Sequence, residues 1–136
     1  MTSKPWHEER SICDLAPYDA RWIEYAAKRA ARLTGKWRLV CVIVRGGRVL
    51  GTGAVRERND IATCRETPWK STEHAERAAI RSVKNTYGAT AYVVRVGANG
   101  ELRHAQPCRR CQAAIEAAGL RAVWSSEEQA FNHVGT

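Results

Sequence analysis

The run Trp37-Arg-Leu-Val-Cys-Val-Ile-Val-Arg45, the pair Gly46-Gly47 and the run Arg48-Val-Leu-Gly-Thr-Gly-Ala-Val55 limit this chain more than any other feature. β-Branched residues favour a pleated, half-buried backbone. Two glycines between two such runs supply the positive φ of a tight hairpin turn. A hairpin is marginal alone and must cover a face with other elements. Helical spacing provides them. Pro17 opens a segment with Trp22, Ile23, Ala26, Ala27, Ala30 and Leu33 on one stripe and Gly35 as its C-cap. Ala75, Ala78, Ala79 and Val83 mark a second helix, capped by Ser71 or Thr72, and Pro107 opens a third that Gly119 closes.

Two further β-rich runs, Ala89–Val96 and Leu120–Trp124, and a short polar strand from Glu101 to His104 complete the pattern. Strands alternating with helices predict an α/β fold: a three-layer α/β/α sandwich around a mixed sheet of about five strands, the first two antiparallel. Residues 1–136 are expected to form a single domain, with 1–14 a flexible polar arm. The tail from Ser126, with Glu127 and Glu128 in its first turn, reads as a final helix.

The length suits one core without disulfides. Lys and Arg exceed Asp and Glu by eight charges, which favours phosphorylated or polyanionic partners over acidic ones. The basic residues are spread along the chain and form no tail. Five cysteines, two of them in Cys108-Arg-Arg-Cys111, suit a metal better than a disulfide framework and imply a reducing compartment. The N-terminus lacks the apolar stretch of a secretory signal, and no run reaches the roughly 18 apolar residues of a membrane span, so a cytoplasmic protein without membrane contact is expected.

Two motifs carry chemistry. His74-Ala-Glu76 opens the second helix and Pro107-Cys108-Arg-Arg-Cys111 the third. Helix N-termini are electropositive and favour thiolates. One imidazole and two thiolates suit zinc, and three protein ligands leave the fourth tetrahedral position open, as in catalytic rather than structural sites. Zinc makes water nucleophilic at neutral pH, and Glu76, two residues from His74, is placed to move its proton. A closed structural zinc site with Cys64 or His104 as fourth ligand, and a redox dithiol, are the alternatives on residue chemistry alone. Cys13 and Cys41 read as buried small hydrophobes, and Trp22, Trp37 and Trp124 as core.

The same residues resemble the cytidine and deoxycytidylate deaminase superfamily, whose signature is H-x-E…P-C-x-x-C. The resemblance spans about Pro17 to Trp124 and implies a cytidine deaminase-like fold. It further implies one zinc per chain on His74, Cys108 and Cys111, and Glu76 as general acid/base while water attacks C4 of cytosine or C6 of adenine. His before Ala-Glu is more similar to the deoxycytidylate, tRNA-adenosine and polynucleotide branches. Many relatives carry Gly-x-Asn after the second strand, where this chain has Gly53-Ala54-Val55, with Asn59 four residues later. Gly97 to Gln106 form an extra segment before the Cys motif. By the same analogy a homo-oligomer is expected.

Three functions follow. The first is hydrolytic deamination of a cytosine nucleoside or nucleotide, deoxycytidylate-like, to the uracil form with release of ammonia. The second is deamination of cytosine or adenosine in single-stranded DNA, RNA or tRNA, favoured by the pI of 9.7. The third is a non-catalytic zinc module. Candidate substrate contacts are Trp69 by stacking, Asn59, His104 and Arg109.

Overall fold

The computed structural model describes residues 8–11, 16–33, 38–54, 56–57, 72–125 and 130–134. In chain order these form β1 (Glu8–Ser11), α1 (Pro17–Ala31), β2 (Arg38–Arg45), β3 (Arg48–Ala54), β4 (Arg56–Glu57) and β5 (Thr72–Glu73). They continue as α2 (Ala75–Arg81), β6 (Thr90–Val96), β7 (Leu102–Arg103), α3 (Arg109–Ala117), β8 (Arg121–Ser125) and β9 (Ala130–Val134).

A mixed sheet runs in the order β1-β9-β8-β6-β2-β3, with β7 also on β6. The β2–β3 hairpin turns at Gly46-Gly47, as its sequence predicts. β6 and β8 are parallel, joined through α3, and the other pairs are antiparallel. Period-2 alternation divides the core between two faces. Val40, Val42, Val44, Tyr92 and Val94 pack under Trp22, Ile23, Ala26 and Ala30 of α1. Cys41, Ile43, Ala91 and Val93 pack under Ala75 and Ala79 of α2 and Ile115 of α3. The helices therefore cover both faces, giving the expected three layers.

Several expectations are corrected. The tail read as a helix from Ser126 contains β9, which pairs with β8 from Ala122↔Val134 to Ser125↔Phe131. Pairing satisfies an edge of β8 that a local helix would leave open. Glu8–Ser11, assigned to a flexible arm, lies on β9 as β1. These two strands enlarge the sheet to seven. Thr72 does not cap α2; it pairs with Glu57 in a two-stranded ribbon, and the N-cap is His74. α1 ends at Ala31 with Arg32 as C-cap, and Gly35 lies outside the described residues, as do Trp37, Cys13 and Cys64.

α3 closes as expected. Gly119 N–H donates to the Glu116 carbonyl and Leu120 N–H to the Ile115 carbonyl, 3.1 Å each, the paired bonds of a Schellman end. Thr86 Oγ1 adds a 2.8 Å bond to the Ala118 carbonyl. Across the opposite face, Asp19 of α1 accepts from Tyr92 Oη at 2.6 Å and from both Arg121 nitrogens at 2.9 and 2.6 Å. This fork ties α1 to β6 and to the start of β8.

α2 lies against β3 at unusually short range. A Cβ on Gly53 would overlap the Ala75 carbonyl oxygen and come 2.5 Å from the Ala79 amide nitrogen, and one on Gly51 would overlap Ser82 Oγ.

Gly53→Ala is expected to push α2 off the sheet and cost about 1–3 kcal/mol. Urea denaturation read by far-UV circular dichroism checks it. Asp19→Ala strands a half-buried guanidinium and should cost about 3 kcal/mol, whereas Tyr92→Phe removes one hydrogen bond and should cost about 1 kcal/mol. The same titration ranks the two.

Candidate metal centre

His74 and Cys108 occupy equivalent places, each the extended residue from which a helix departs. Their backbones sit at φ −72°, ψ 139° and φ −68°, ψ 169°. α2 and α3 pack against one another, so the two helix starts meet. His74 Nδ1 lies 3.4 Å from Cys108 Sγ and 3.4 Å from Cys111 Sγ. Cys111 follows Cys108 by three residues and falls on the same side of the first turn. Its side chain is buried, while Cys108 and His74 are exposed.

The three donor atoms lie within 4.8 Å of one another. Around a tetrahedral zinc, with Zn–N about 2.0 Å and Zn–S about 2.3 Å, a nitrogen and a sulfur donor stand about 3.6 Å apart. The observed separations fit one borderline-soft cation between them. Among the described residues no other His, Cys, Asp or Glu joins this group. His104, weighed as a fourth ligand, is outside it; Cys64 lies outside the described residues.

Glu76, in the first turn of α2, is only 4% exposed. Burial pushes its carboxyl pKa up, opposed by hydrogen bonds from its own backbone N–H and the Cys111 thiol and by the nearby His74. The thiol of Cys111 is pushed well up, first by burial, then by the Glu76 and Cys108 charges. Cys41, under them on β2, is likewise raised by burial and by Glu76. In the metal-free chain, burial and the adjacent carboxylate thus hold Cys111 toward the thiol form. A bound divalent cation would reverse that balance, since its charge favours every anionic donor around it.

The predicted residues divide. His74, Cys108, Cys111 and Glu76 converge. Arg109 is exposed at the start of α3, and His104 is exposed just after β7, its carbonyl 3.5 Å from Arg95 Nη1. Asn59 and Trp69 lie outside the described residues. The extra segment carries the expected short strand, confined to Leu102–Arg103, which folds back on β6 with Arg95↔Arg103 and Val96↔Leu102 paired. Sequence reading missed Gln112. Its Nε2 donates to the Pro107 carbonyl at 2.8 Å, and its N–H donates to the Cys108 carbonyl at 2.8 Å, bracing the turn that carries both sulfurs. An amide four residues after the first cysteine was the available signal.

An α/β/α sandwich with a His/Cys/Cys group at two helix starts defines a class, the zinc deaminase-like folds. Residues 18–127 match the cytidine and deoxycytidylate deaminase zinc-binding region, and the chain belongs to that family of zinc-dependent hydrolytic deaminases. Among solved structures it is similar to dCMP deaminase from the cyanophage S-TIM5 in apo form, at 17% identity and TM-score 0.60, covering 84% of this chain and 87% of that one. The same enzyme in complex with dCMP and dUMP aligns at 16% identity and TM-score 0.56, over 81% of this chain and 82% of that one. Cytidine deaminase from Mycobacterium tuberculosis aligns at 23% identity and TM-score 0.44, over 77% and 85%. No curated protein matches the chain in sequence. Among the described residues, no helix is long and apolar enough to cross a membrane.

A raised Glu76 pKa means that the folded, metal-free chain binds a proton there over a range in which the unfolded chain has lost it. The stabilisation is complete below the ordinary Glu pKa and is lost as pH rises through the raised folded value. Chelator-treated protein should therefore lose stability with rising pH above the ordinary Glu range, and the Glu76→Gln variant should lack that component. Denaturation midpoints over pH 4–8 make the comparison.

Proposed function

We propose that this chain is a zinc-dependent deaminase of a cytosine nucleoside or nucleotide, deoxycytidylate-like, yielding the uracil form and ammonia. The observation that carries the reading is the meeting of His74 Nδ1 with both thiols at 3.4 Å, beside a buried carboxylate that is not itself one of the donors. In this reading His74, Cys108 and Cys111 hold about one zinc per chain. When bound, zinc supplies the Lewis acidity that makes water a nucleophile at neutral pH.

The chain's own groups do the rest. Glu76 takes one proton from the attacking water and delivers it to the ring nitrogen, then takes the second from the newly added hydroxyl as that becomes the carbonyl and passes it to the amine, which leaves as ammonia. Its burial suits this work, because a carboxylate whose pKa is raised by desolvation is a stronger proton acceptor than an exposed one. Gln112 holds the Pro107–Cys108 turn so that the two sulfurs keep their spacing. The fold likeness to a dCMP deaminase, solved with dCMP and dUMP bound, supports a pyrimidine nucleotide as substrate. The use of Cys108 and Cys111 for a metal rather than a disulfide supports a reducing, cytoplasmic setting.

A polynucleotide substrate is the second reading, favoured by the formal charge of +8. Salt separates the two. Log affinity for a single strand should fall by about 0.7 per neutralised phosphate for each decade of salt, summing over several phosphates, while a free monophosphate engages only one.

Purified protein should contain about one zinc per chain by metal analysis, and Cys111→Ala should lower zinc content and thermal midpoint together. Glu76→Gln should keep zinc and fold while losing at least about a hundredfold in ammonia release from dCMP or deoxycytidine. Loss of zinc in step with activity would instead make Glu76 a ligand.

A further inference from the structure

Aromatic residues and cysteines aside, three polar or charged side chains are buried among the described residues: Asp19, Glu76 and Ser125. Asp19 forms the fork and Glu76 flanks the metal donors. Ser125, the last residue of β8, is fully buried and takes part in neither. It stands where one neighbour of β6 gives way to the next, since β8 runs beside β6 as far as Val93↔Trp124 and β7 takes over at Arg95↔Arg103. The Ser125 hydroxyl bridges that junction. It accepts from the Arg95 N–H at 3.2 Å and donates to the Arg103 carbonyl at 2.8 Å. Its backbone carbonyl accepts from the Ala105 N–H at 2.8 Å. One residue thus holds both ends of the stretch 103–105.

A buried hydroxyl costs free energy unless it is bonded, and these bonds fall on the segment that leads into the cysteine motif. Only Gln106 and Pro107 separate Ala105 from Cys108. That link is stiff. The pyrrolidine ring fixes φ of Pro107 at about −65° and restricts Gln106, before it, to extended backbone. Ala105 and Pro107 are buried while Gln106 is exposed, the alternation of an anchored extended segment. A displacement at Ala105 therefore reaches Cys108. Of the three donors Cys108 depends most on its backbone. Cys111 is held by burial in α3 and His74 by a helix seated on Gly51 and Gly53, whereas Cys108 is exposed and precedes its helix. Gln112 braces the Pro107–Cys108 turn from within the same helix, so it sets the shape of the turn and not its place on the sheet.

We propose that Ser125 is a positioning residue of the metal centre, which through Arg103 and Ala105 holds the segment that delivers the Cys108 sulfur. The inference rests on the zinc reading of His74, Cys108 and Cys111.

The test compares wild type with S125A, with the pair S125T and S125V, which differ in the hydroxyl and hardly in shape, and with Y92F. The last loses one buried hydrogen bond on the face of the sheet opposite the metal centre. Circular dichroism checks that each is folded, and the threonine–valine pair carries the comparison if S125A does not fold. Zinc affinity is read by competition with a chromophoric chelator, and protection of the Ala105 amide by hydrogen exchange. S125A should bind zinc about tenfold more weakly than wild type, the lower end of what groups behind a metal's ligands contribute. Its Ala105 amide should exchange at least about tenfold faster. S125V should differ from S125T in the same direction in both measurements, and Y92F should stay within about twofold of wild type in both. Equal zinc affinity in S125A and wild type, equal Ala105 exchange in the two, or a matching loss of zinc affinity in Y92F would overturn the proposal. Zinc held equally by wild type and S125A removes the role of Ser125 alone, whereas a wild type that binds no zinc removes the reading beneath it as well.

Discussion

The backbone of α2 rests almost directly on β3, because Gly51 and Gly53 present no side chain between them. Gly53 faces Ala75 and Ala79, small residues on the underside of α2, and the contact is backbone against backbone. Close approach of this kind leaves little room for the helix to slide or tilt, since interiors are packed at crystal-like density. His74 is the cap of that helix and Glu76 lies in its first turn. The metal centre therefore inherits its position from a helix-on-strand contact rather than from any bond within the centre itself. The second half of the centre is set separately, by the Gln112 brace at the start of α3 and the Schellman end at Gly119.

The centre is electrostatically expensive without a cation. Glu76, Cys111 and Cys41 lie together in a buried layer, where burial and the Glu76 charge disfavour the ionised form of both thiols while the Cys111 thiol donates a hydrogen bond to the carboxylate. Such crowding of anionic donors is poor design for a structural cluster of thiols and reasonable design for a site that a divalent cation completes. Cys41 shows how burial decides a cysteine's part. It stands close enough to feel Glu76, yet it faces the core of β2 as a small apolar filler and is not among the group able to hold a metal.

The two helix layers are attached by different chemistry. On the α2–α3 face the contacts are apolar and glycine-mediated. On the α1 face the apolar stripe from Trp22 to Ala30 is supplemented by the fork from Asp19 to Arg121 and Tyr92. A forked ion pair specifies orientation more sharply than apolar burial does. It fixes α1 against β6 and β8.

Much of this was legible in the sequence because its cues are local. Hydrophobic period separated helices from strands, Gly46-Gly47 marked the hairpin, and the HAE and PCxxC motifs marked both helix starts and the three residues able to hold a metal. Other features were set by distant partners. The strand at Ala130–Val134 and the pairing of Glu8–Ser11 exist because β8 needed a neighbour and the termini lay within reach, a condition no local propensity encodes. Asp19 read as one more acidic residue in a first turn until Arg121 and Tyr92, far along the chain, met it. The sequence by itself determined which groups could bind a metal and move a proton, since that follows from residue type and spacing. Only the tertiary structure decided how Glu76 and Cys111 titrate and how near His74 comes to the two thiols, because desolvation and convergence depend on what packs around a side chain.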